Sequence, residues 1–578
     1  MTLLLNGSGV SRGIAIGQVR VLHEIQPQVR RKKIIASKRD AEVRRFRKAL
    51  KLAEAELERA KSQLPRSGSG TISAILDSHV GMLHDAALVE PIENLISEHL
   101  FSSEWALAQQ RDQLLAMFES IDDTYIKQRA TDIEETIARL LKHLGSRRRR
   151  TTSTGKAVDK FILVSKNLAP SDLIYQEQRG LIGAITTEGS PLSHTTIIAK
   201  DLEIPLIIRV QYGMQLLEEA DRLIIDGGTG MVLANADPLA QKSFKGMQRT
   251  ARQRRREIVR RKVRTNKSLD QSKIEIFANI ASVEEYNQAR KLGAEGVGLY
   301  RTESLFLNRE ELPTEEEHLR TYRRLVTKVK GAPLVLRTMD VWSSRRLPGI
   351  EQVVPRSAQP ALGLRAIRLC LRHPEFFRPQ LNAILRAAHY GPVAMLLPMV
   401  SGVQEVREML QMIDMAKADL KRQRRVFDQN IRVGVMIEVP SAAVSASLIA
   451  PLVDFMAIGS NDLTQYTLAM DRDDANIQPL LDPLNPAILQ LIHETVKAAN
   501  HSGIPVSLCG EMAGEPAYTR LLLGLGLRQL SMHPTSIPDV KHAVTQTDIA
   551  AVTRLSRAMR RAANPRKTQQ LLDKINSL

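Results

Sequence analysis

The stretch KIEIFANI (273–280) is the first of eight short apolar runs in the second half of the chain, and these runs decide its fold. Helix-like stretches separate most of them. The other seven are GVGLYRT (296–302), LVLRTMD (334–340), AMLLPMV (394–400), RVGVMIEV (432–439), FMAIGSNDL (455–463), PVSLCGE (505–511) and QLSMHP (529–534). Strand and helix alternating eight times predict a (β/α)8 barrel, whose active site lies at the C-terminal ends of its strands.

Polar and charged residues stand at the ends of most of these runs, where such a barrel carries its chemistry. They are Arg301, Arg337, Glu438, Asn461, Asp462 and Cys509. The planar fork of arginine binds phosphate and carboxylate in a bidentate manner. The carboxylates of Glu438 and Asp462, which end the fifth and sixth strands, are hard oxygen ligands of the kind that Mg2+ needs. The pattern predicts a metal-assisted site for an anionic substrate.

One further residue, Arg472, belongs to the same predicted rim, and the role of Cys509 needs separate comment. Arg472 lies on the sixth-strand loop with Asn461. Cys509 leaves two interpretations open: buried structural cysteines are common, and a thiol at the catalytic face of a barrel can donate a proton.

Composition narrows the class of protein. A chain of 578 residues is too long for one core and indicates two or three domains. No apolar run is long enough to span a bilayer, and the start MTLLLNGSGV lacks the features of a signal peptide. The two cysteines, Cys370 and Cys509, are too far apart to describe a disulfide framework or a zinc site. We therefore expect a cytoplasmic protein with no membrane partner.

The formal net charge of +19 is unusual for a metabolic enzyme. Part of the excess is clustered at Arg147 to Arg150 and between Lys242 and Lys267, which fall at predicted domain boundaries. Solvated linkers are the ordinary explanation for such runs. Aromatic residues make up 4% of the chain, and no zinc pattern, RNP-like strand or helix-turn-helix is recognisable, so nucleic acid is not an expected partner.

The first half of the chain changes character twice. Residues 3–22 are predicted to form a strand, a Gly-rich turn and a second strand, and a helical pattern runs from about Lys38 to Gly145. Strand patterns return at FILVSK (161–166) and continue to a hairpin that turns at Asp226-Gly227-Gly228. The predicted domains are an α/β domain (1–22 and 147–236), an inserted helical subdomain (23–146), a basic linker helix (237–268) and the barrel (269–578).

His194 follows a predicted strand and the loop GSPLS and opens a predicted helix. A helix N-terminus favours a bound phosphate, and a neutral imidazole is a competent nucleophile near pH 7. A lone histidine is more often a cap or a core residue, so the local pattern by itself leaves its role open.

Several long motifs together resemble one family. GVGLYRTE, LRTMD, LGLRAIR, VGVMIEVP, IGSNDLTQYTLAMDR and SLCGEMAG resemble enzyme I of the bacterial phosphoenolpyruvate-dependent phosphotransferase system, and SPLSHTTIIAKDLEIP resembles the phosphohistidine loop of that family. The resemblance runs from about residue 9 to beyond residue 560. Pyruvate phosphate dikinase and phosphoenolpyruvate synthase share the histidine loop and the barrel, but they also carry an ATP-grasp domain for which this chain has no motif.

The resemblance implies a fold and a set of roles. The fold would be an α/β phosphohistidine domain with an inserted helical carrier-binding bundle, followed by a TIM barrel. His194 would accept the phosphoryl group of phosphoenolpyruvate and pass it to an HPr-like phosphocarrier protein, with Cys509 protonating the enolate to give pyruvate. Arg301, Arg337, Asn461, Asp462 and Arg472 would bind the substrate. Glu438 and Asp462 would bind Mg2+, and the protein would be a homodimer through its barrel.

The chain departs from the family pattern in the loop Val341-Trp342-Ser343-Ser344-Arg345, where the family usually has Ile-Gly-Gly-Asp-Lys. Bulkier residues replace glycines there, which predicts slower turnover or altered substrate geometry. The helical block also has few acids around His79, at a position that in the family helps to dock the carrier. A catalytically impaired regulatory or scaffold protein that binds a carrier or an anionic polymer is the alternative function. The particular carrier, and the choice between sugar-related and nitrogen-related pathways, stay open.

Overall fold

The computed structural model describes most of the chain, in two compact units, Met1–Arg254 and Arg255–Leu578. The described residues are 2–22, 31–62, 76–77, 79–119, 124–144, 160–177, 179–189, 193–217, 222–260, 266–306, 311–341, 361–471, 477 and 480–578. Among them, no helix is both long enough and apolar enough to cross a membrane.

The first unit contains an eight-stranded sheet in the order β1-β8-β7-β3-β4-β5-β6-β2. Its strands are β1 (Leu3–Asn6), β2 (Ser8–Ser11), β3 (Ile14–Leu22), β4 (Phe161–Ser165), β5 (Leu181–Thr186), β6 (Leu206–Ile208), β7 (Arg222–Asp226) and β8 (Met231–Ala234). Strand β3 pairs in parallel with β4 and antiparallel with β7, so strands from both sides of the helical block form one sheet. The predicted hairpin is confirmed, because β7 and β8 pair antiparallel around residues 227–230.

Helices separate and flank these strands. The described helices of the first unit, with one short 3-10 turn at Ala36–Lys38, are Arg39–Ser62, Ala86–Ser97, Ser103–Glu119, Thr124–Leu144, Pro170–Glu177, His194–Asp201 and Gly213–Leu217. Helix Pro238–Arg260 begins in this unit and extends past its boundary at Arg254. Apolar residues of the long helices, such as Phe46, Leu57, Ile92 and Leu107, are fully buried and belong to one core with strands β4 to β6. The helical block and the strands are therefore packed together within this unit.

The second unit is a closed barrel of eight parallel strands, as predicted. The strands are β9 (Glu275–Ile280), β10 (Val297–Tyr300), β11 (Leu334–Arg337), β12 (Val393–Leu397), β13 (Arg432–Ile437), β14 (Phe455–Ile458), β15 (Val506–Leu508) and β16 (Gln529–Met532). Each of the eight apolar runs supplies one strand. Strand β16 pairs with β9 and closes the ring.

Helices surround the barrel. They are Val283–Leu292, Glu315–Val329, Ala366–Arg372, Pro374–Ala388, Val403–Arg422, Pro440–Val444, Ala446–Ile449, Ser460–Leu468, Pro486–His501, Pro516–Gly524, Ile537–Thr545, Ile549–Met559 and Pro565–Ser577, with 3-10 turns at Glu303–Leu305, Ala450–Leu452, Glu511–Gly514 and Pro534–Ser536. Helix Glu315–Val329 begins at a capping box, in which the Thr314 side chain accepts from the Glu317 N–H and Glu317 accepts from the Thr314 N–H.

The barrel interior is a packed core. Leu299, Leu396, Met436, Phe455 and Ala457 form an inner cluster that also includes Cys509. A larger cluster lies between the strands and the surrounding helices. Inward and outward side chains alternate along each strand, which accounts for the two separate clusters.

Details of the first unit differ from expectation. Residues 3–22 form three strands, because Ser8–Ser11 pairs with β6 across the sheet. Helices Pro170–Glu177 and Gly213–Leu217 were not predicted, since both are short and carry weak periodicity. The basic helix runs over Pro238–Arg260, and the domain boundaries drawn from the sequence stay a prediction.

Candidate active site

The C-terminal ends of β9–β16, called here the barrel mouth, bring together most of the predicted site residues. Arg337 ends β11, and Arg301, Glu438 and Cys509 directly follow β10, β13 and β15. Asn461 and Asp462 lie in the first turn of helix Ser460–Leu468, which follows β14. Since the strands are parallel, all six residues lie at the same end of the barrel.

Arg337 is anchored by carboxylates on two loops. Its guanidinium donates to Glu303 Oε1 at 2.9 Å and lies 3.5 Å from Asp340 Oδ2. Burial opposes its charge, but the negative charges of Glu303, Asp340, Glu438 and Asp462 outweigh that effect and raise its pKa above the ordinary value. Its Nε is buried without a hydrogen-bond partner among the residues that the structure describes, so one donor of this fixed cation is left for a ligand.

Arg301 differs from Arg337, because its side chain is exposed at the barrel mouth. Its backbone N–H donates to the carbonyl of Ile280 at 2.9 Å, which fixes the start of the loop. Surrounding protein atoms and the positive charge of Arg337 lower the pKa of Arg301. Two neighbouring guanidiniums that repel one another are suited to an anion placed between them.

Behind Arg337 lies a buried ion pair. Asp340 accepts from Arg365 Nε at 2.9 Å and from a terminal nitrogen of Arg365 at 2.8 Å. Both side chains are 5% exposed. Arg365 also donates to the Tyr466 hydroxyl at 3.2 Å and lies 3.9 Å from Asp462 Oδ1. The pair thus connects the loop after β11 with the helix that carries Asp462.

We expect Arg365→Met to lower the free energy of unfolding of the barrel unit by about 3 kcal/mol, since it removes one partner of a buried bidentate pair. This is the low end of the usual range, because Arg337 remains 3.5 Å from Asp340. Urea denaturation followed by circular dichroism measures the change. The exposed Arg323, which lies over the ring of Tyr390, is the matched control: Arg323→Met should cost less than about 1 kcal/mol. Equal losses in the two variants would contradict the expectation.

Glu438 and Asp462 form the acidic side of the barrel mouth. Glu438 is 1% exposed, and its Oε1 accepts from the Met399 N–H at 2.7 Å. Burial, with the charges of Asp462 and Asp340, raises the pKa of Glu438 to about 8, although Arg337 and the Met399 N–H act in the opposite direction. A Cβ at Gly459 would lie 2.6 Å from Glu438 Oε2, so glycine lets this carboxylate lie against the next strand end.

Cys509 is buried at the top of the inner barrel cluster. The residue is 4% exposed, and its Sγ lies 3.5 Å from the carbonyl of Ile458, to which the thiol donates. Burial and the charge of Glu438 raise the pKa of the thiol to about 12, despite the nearby arginines. The sulfur is therefore protonated at neutral pH, which is the state that a proton donor needs.

The loops after β14 and β15 are in close contact. Asn461 Oδ1 accepts from the Glu511 N–H at 2.8 Å. A Cβ at Gly510 would lie 1.9 Å from Ser460 Oγ, so no larger residue fits there without movement. Asn461 and Cys509 are held next to each other by these contacts.

The remaining predicted residues lie elsewhere. Arg472 and residues 342–345 of the altered loop fall outside the described residues. His194 belongs to the first unit, where it is the first residue of helix His194–Asp201, and the Ser193 hydroxyl caps this helix by accepting from the Thr196 N–H at 3.2 Å. His79 is 1% exposed and so is not itself part of a surface.

Sequence reasoning missed Glu303, Asp340 and Arg365. All three stand within recognised motifs: Glu303 ends GVGLYRTE, and Asp340 and Arg365 lie in LRTMD and LGLRAIR. Membership of these motifs was the signal in the sequence that could have marked the three residues as part of the site. The pairing of Asp340 with Arg365, 25 positions apart, was not visible in the sequence.

Three family models match successive parts of the chain. They describe the N-terminal domain (residues 6–129), the mobile domain (158–230) and the PEP-binding domain (255–549) of PEP-utilising enzymes. The barrel and its charged mouth agree with the last of these. The fold and the site thus define a member of the class of phosphoenolpyruvate-utilising enzymes.

Proteins named phosphoenolpyruvate-protein phosphotransferase are similar over nearly the whole length. The protein of Cupriavidus necator is 38% identical over 552 residues and covers 94% of each chain. That of Haemophilus influenzae is 36% identical over 541 residues, covering 94% of this chain and 93% of its own. The chain belongs to the phosphoenolpyruvate-protein phosphotransferase family, which confirms the resemblance. A solved structure of an Enzyme I protein is 26% identical and covers 43% of this chain, with a TM-score of 0.35, too low to support a structural argument.

Proposed function

We propose that the chain transfers the phosphoryl group of phosphoenolpyruvate to its own His194 and then to a histidine of an HPr-like phosphocarrier protein, releasing pyruvate. The observation that supports this most is the barrel mouth, where two arginines, two carboxylates and a thiol lie at or just after the C-terminal ends of the strands. The similar proteins from Cupriavidus necator and Haemophilus influenzae are named for this activity.

The two arginines are suited to a substrate with a phosphate and a carboxylate. Arg337 is held by Glu303 and keeps its buried Nε without a partner among the described residues, while Arg301 is exposed and can close on the ligand. Asn461 and Arg472, which follows helix Ser460–Leu468 in the sequence, are proposed as further substrate contacts. Transfer of a phosphoryl group depends mainly on positioning and charge neutralisation, which such a set of donors provides.

The carboxylates fit Mg2+. Glu438 Oε1 is engaged by the Met399 N–H, which leaves Oε2 for a ligand. Burial, together with the negative charges of Asp462 and Asp340, raises the pKa of Glu438, and a bound cation would favour its charged form. No group of three or more His, Cys, Asp or Glu side chains in the described part of the chain is placed to hold a metal. Mg2+ commonly takes only one or two carboxylates and completes its shell with water and substrate phosphate. Bound there, Mg2+ would neutralise charge on the phosphate.

The bond changes balance with the groups present. The P–O bond between the phosphoryl group and the enolate oxygen breaks, and a bond forms between phosphorus and a ring nitrogen of His194. The electron pair of the broken P–O bond stays on the oxygen, which gives the enolate of pyruvate. Cys509 then gives its proton to the methylene carbon of the enolate, which becomes the methyl group of pyruvate, and the resulting thiolate is reprotonated from solvent.

The second half of the reaction requires a carrier. We assign carrier docking to the helical subdomain (23–146), with residues 1–22 and 147–236 presenting His194 and the basic helix within 237–268 linking them to the barrel. We also propose a homodimer formed through the barrel and a cytoplasmic location. These assignments follow from the family and from the sequence pattern.

Incubation with phosphoenolpyruvate labelled at phosphorus tests the function. We expect acid-labile, base-stable label on the peptide that contains His194, together with stoichiometric pyruvate, and loss of both when EDTA removes Mg2+. Absence of label on the folded chain would contradict the proposal and would favour the scaffold alternative. Adding candidate carriers to the labelled protein then identifies the acceptor.

A further inference from the structure

Gln380 is a fully buried amide beneath the barrel mouth. It lies in helix Pro374–Ala388 and is 0% exposed. Its Oε1 accepts from the backbone N–H of Met339 at 2.8 Å. Its Nε2 donates to the Thr302 hydroxyl at 3.1 Å and to the Tyr322 hydroxyl at 3.2 Å. A backbone N–H can only donate, so the Met339 contact fixes which end of the amide faces which partner.

These bonds connect the two loops that carry the proposed substrate arginines. Thr302 directly follows Arg301, and Met339 lies two residues after Arg337. The Thr302 hydroxyl in turn donates to the carbonyl of Arg337 at 2.9 Å. One side chain thus joins the loop after β10 to the loop after β11 from below, and Gln380, Thr302 and Met339 are all 0% exposed.

Other contacts place Gln380 rigidly. Its hydrogen-bond partner Tyr322 is 0% exposed, and the Tyr322 hydroxyl lies 3.1 Å from His318 Nδ1. Helix Pro374–Ala388 is packed on helix Glu315–Val329 through buried apolar residues such as Phe377, Leu381 and Leu325. The amide therefore belongs to the rigid part of the barrel, while Arg301 above it is exposed.

We propose that Gln380 is a positioning residue for the first half-reaction, setting the separation of Arg301 and Arg337 without touching the substrate. This inference rests on the proposed function. Removing the amide leaves the Met339 N–H without this acceptor and Thr302 without this donor, and buried groups that lose partners move or relax. A displacement of about 1 Å in a binding group can slow a reaction about a hundredfold.

The test compares two buried amides of the same helix. Gln380→Met keeps the length of the side chain and removes all three hydrogen bonds. Asn382→Leu is the control. Asn382 is also buried, at 8% exposed, but it donates to Glu315 at 2.9 Å instead of to the loops after β10 and β11. Rapid-quench measurements give the rate and the KM for phosphoenolpyruvate in phosphorylation of His194. A second measurement follows release of phosphate from the prephosphorylated protein to a carrier.

We expect Gln380→Met to lower kcat/KM for phosphoenolpyruvate about a hundredfold and to leave transfer to the carrier unchanged. Asn382→Leu should leave both half-reactions within about threefold of the natural chain. Combining Gln380→Met with Thr302→Val should cost clearly less than the two single effects multiplied together, since both variants remove the hydrogen bond between Gln380 and Thr302. If Gln380→Met does not fold, Thr302→Val alone should show the same selective loss.

Other outcomes overturn the inference. An unchanged first half-reaction in Gln380→Met, or equal loss in both half-reactions and in the Asn382→Leu control, would mean that the amide serves only stability. Additive losses in the double variant would mean that Gln380 does not act through Thr302. Lack of label on the natural chain itself is a different result, because it would contradict the proposed function.

Discussion

His194→Ala is expected to abolish incorporation of phosphate from phosphoenolpyruvate. The imidazole is the proposed acceptor, and alanine offers no nucleophile in its place. His194 is the first residue of a helix that Ser193 caps, so alanine is compatible with the backbone there, and we expect the fold to persist. The label should fall by more than about a thousandfold, and the carrier should receive no phosphate.

Mass spectrometry of the intact chain after incubation with phosphoenolpyruvate and Mg2+ measures this loss. His84→Ala is the matched control, because the side chain of His84 is 61% exposed in the helical block and pairs with Glu54 at the surface. It should accept phosphate like the natural chain. Label persisting in His194→Ala would contradict the assignment and would place the acceptor on another residue.

Glu438→Gln is expected to lower Mg2+-dependent phosphorylation of His194 on the order of a thousandfold. The amide is nearly the same size, can still accept from the Met399 N–H, and removes the charge that would bind the metal. A metal at a transferring phosphate typically supplies several kcal/mol of charge stabilisation, and about 4 kcal/mol corresponds to a thousandfold.

The same substitution should stabilise the protein when Mg2+ is absent. The pKa of Glu438 is raised from its ordinary 4.5 to about 8, so the folded protein holds this proton more tightly than the unfolded chain does. The resulting stability is complete below about pH 4.5 and is lost as the pH rises towards about 8. Glutamine does not titrate, so the variant loses none of this stability between about pH 4.5 and 8. In EDTA, the Tm of Glu438→Gln should therefore exceed that of the natural chain by about a few degrees near pH 8 and match it near pH 5.

Differential scanning calorimetry across that pH range, with and without Mg2+, measures both effects. Mg2+ should raise the Tm of the natural chain and leave that of Glu438→Gln unchanged. Glu275→Gln is the control at the opposite end of the barrel, where Glu275 accepts from Gln529 at 2.6 Å, and it should retain the Mg2+ response. An equal Mg2+ response in Glu438→Gln would show that Glu438 is not a ligand.

The barrel was predictable because each of its strands is a short apolar run between helical patterns. Runs such as RVGVMIEV and FMAIGSNDL are apolar on both faces, as strands buried inside a closed parallel barrel must be. Once the barrel was predicted, the polar residues that end its strands were candidates for the site. Topology alone therefore brings Arg301, Arg337, Glu438 and Cys509 to one rim.

The buried hydrogen bonds and ion pair beneath the barrel mouth were not predictable in this way. Gln380 stands within the helical run PQLNAILRAA, where a polar residue is ordinarily on the solvent face. Its partners Thr302 and Met339 are 78 and 41 positions away. Asp340 and Arg365 are likewise distant. Such pairings depend on three-dimensional packing, which the spacing of residue types in one chain does not encode.

The mixed sheet of the first unit has a consequence for synthesis on the ribosome. Strand β3 is complete at Leu22, but its partners β4 and β7 begin at Phe161 and Arg222. At a translation rate of about 5–20 residues per second, roughly 10 to 40 seconds pass between synthesis of β3 and synthesis of both partner strands. During that interval the helical block emerges and can collapse first, while β1–β3 remain unpaired edges of the kind that invite aggregation. Anything that slows translation beyond the helical block therefore prolongs the period in which the nascent chain needs protection by a chaperone.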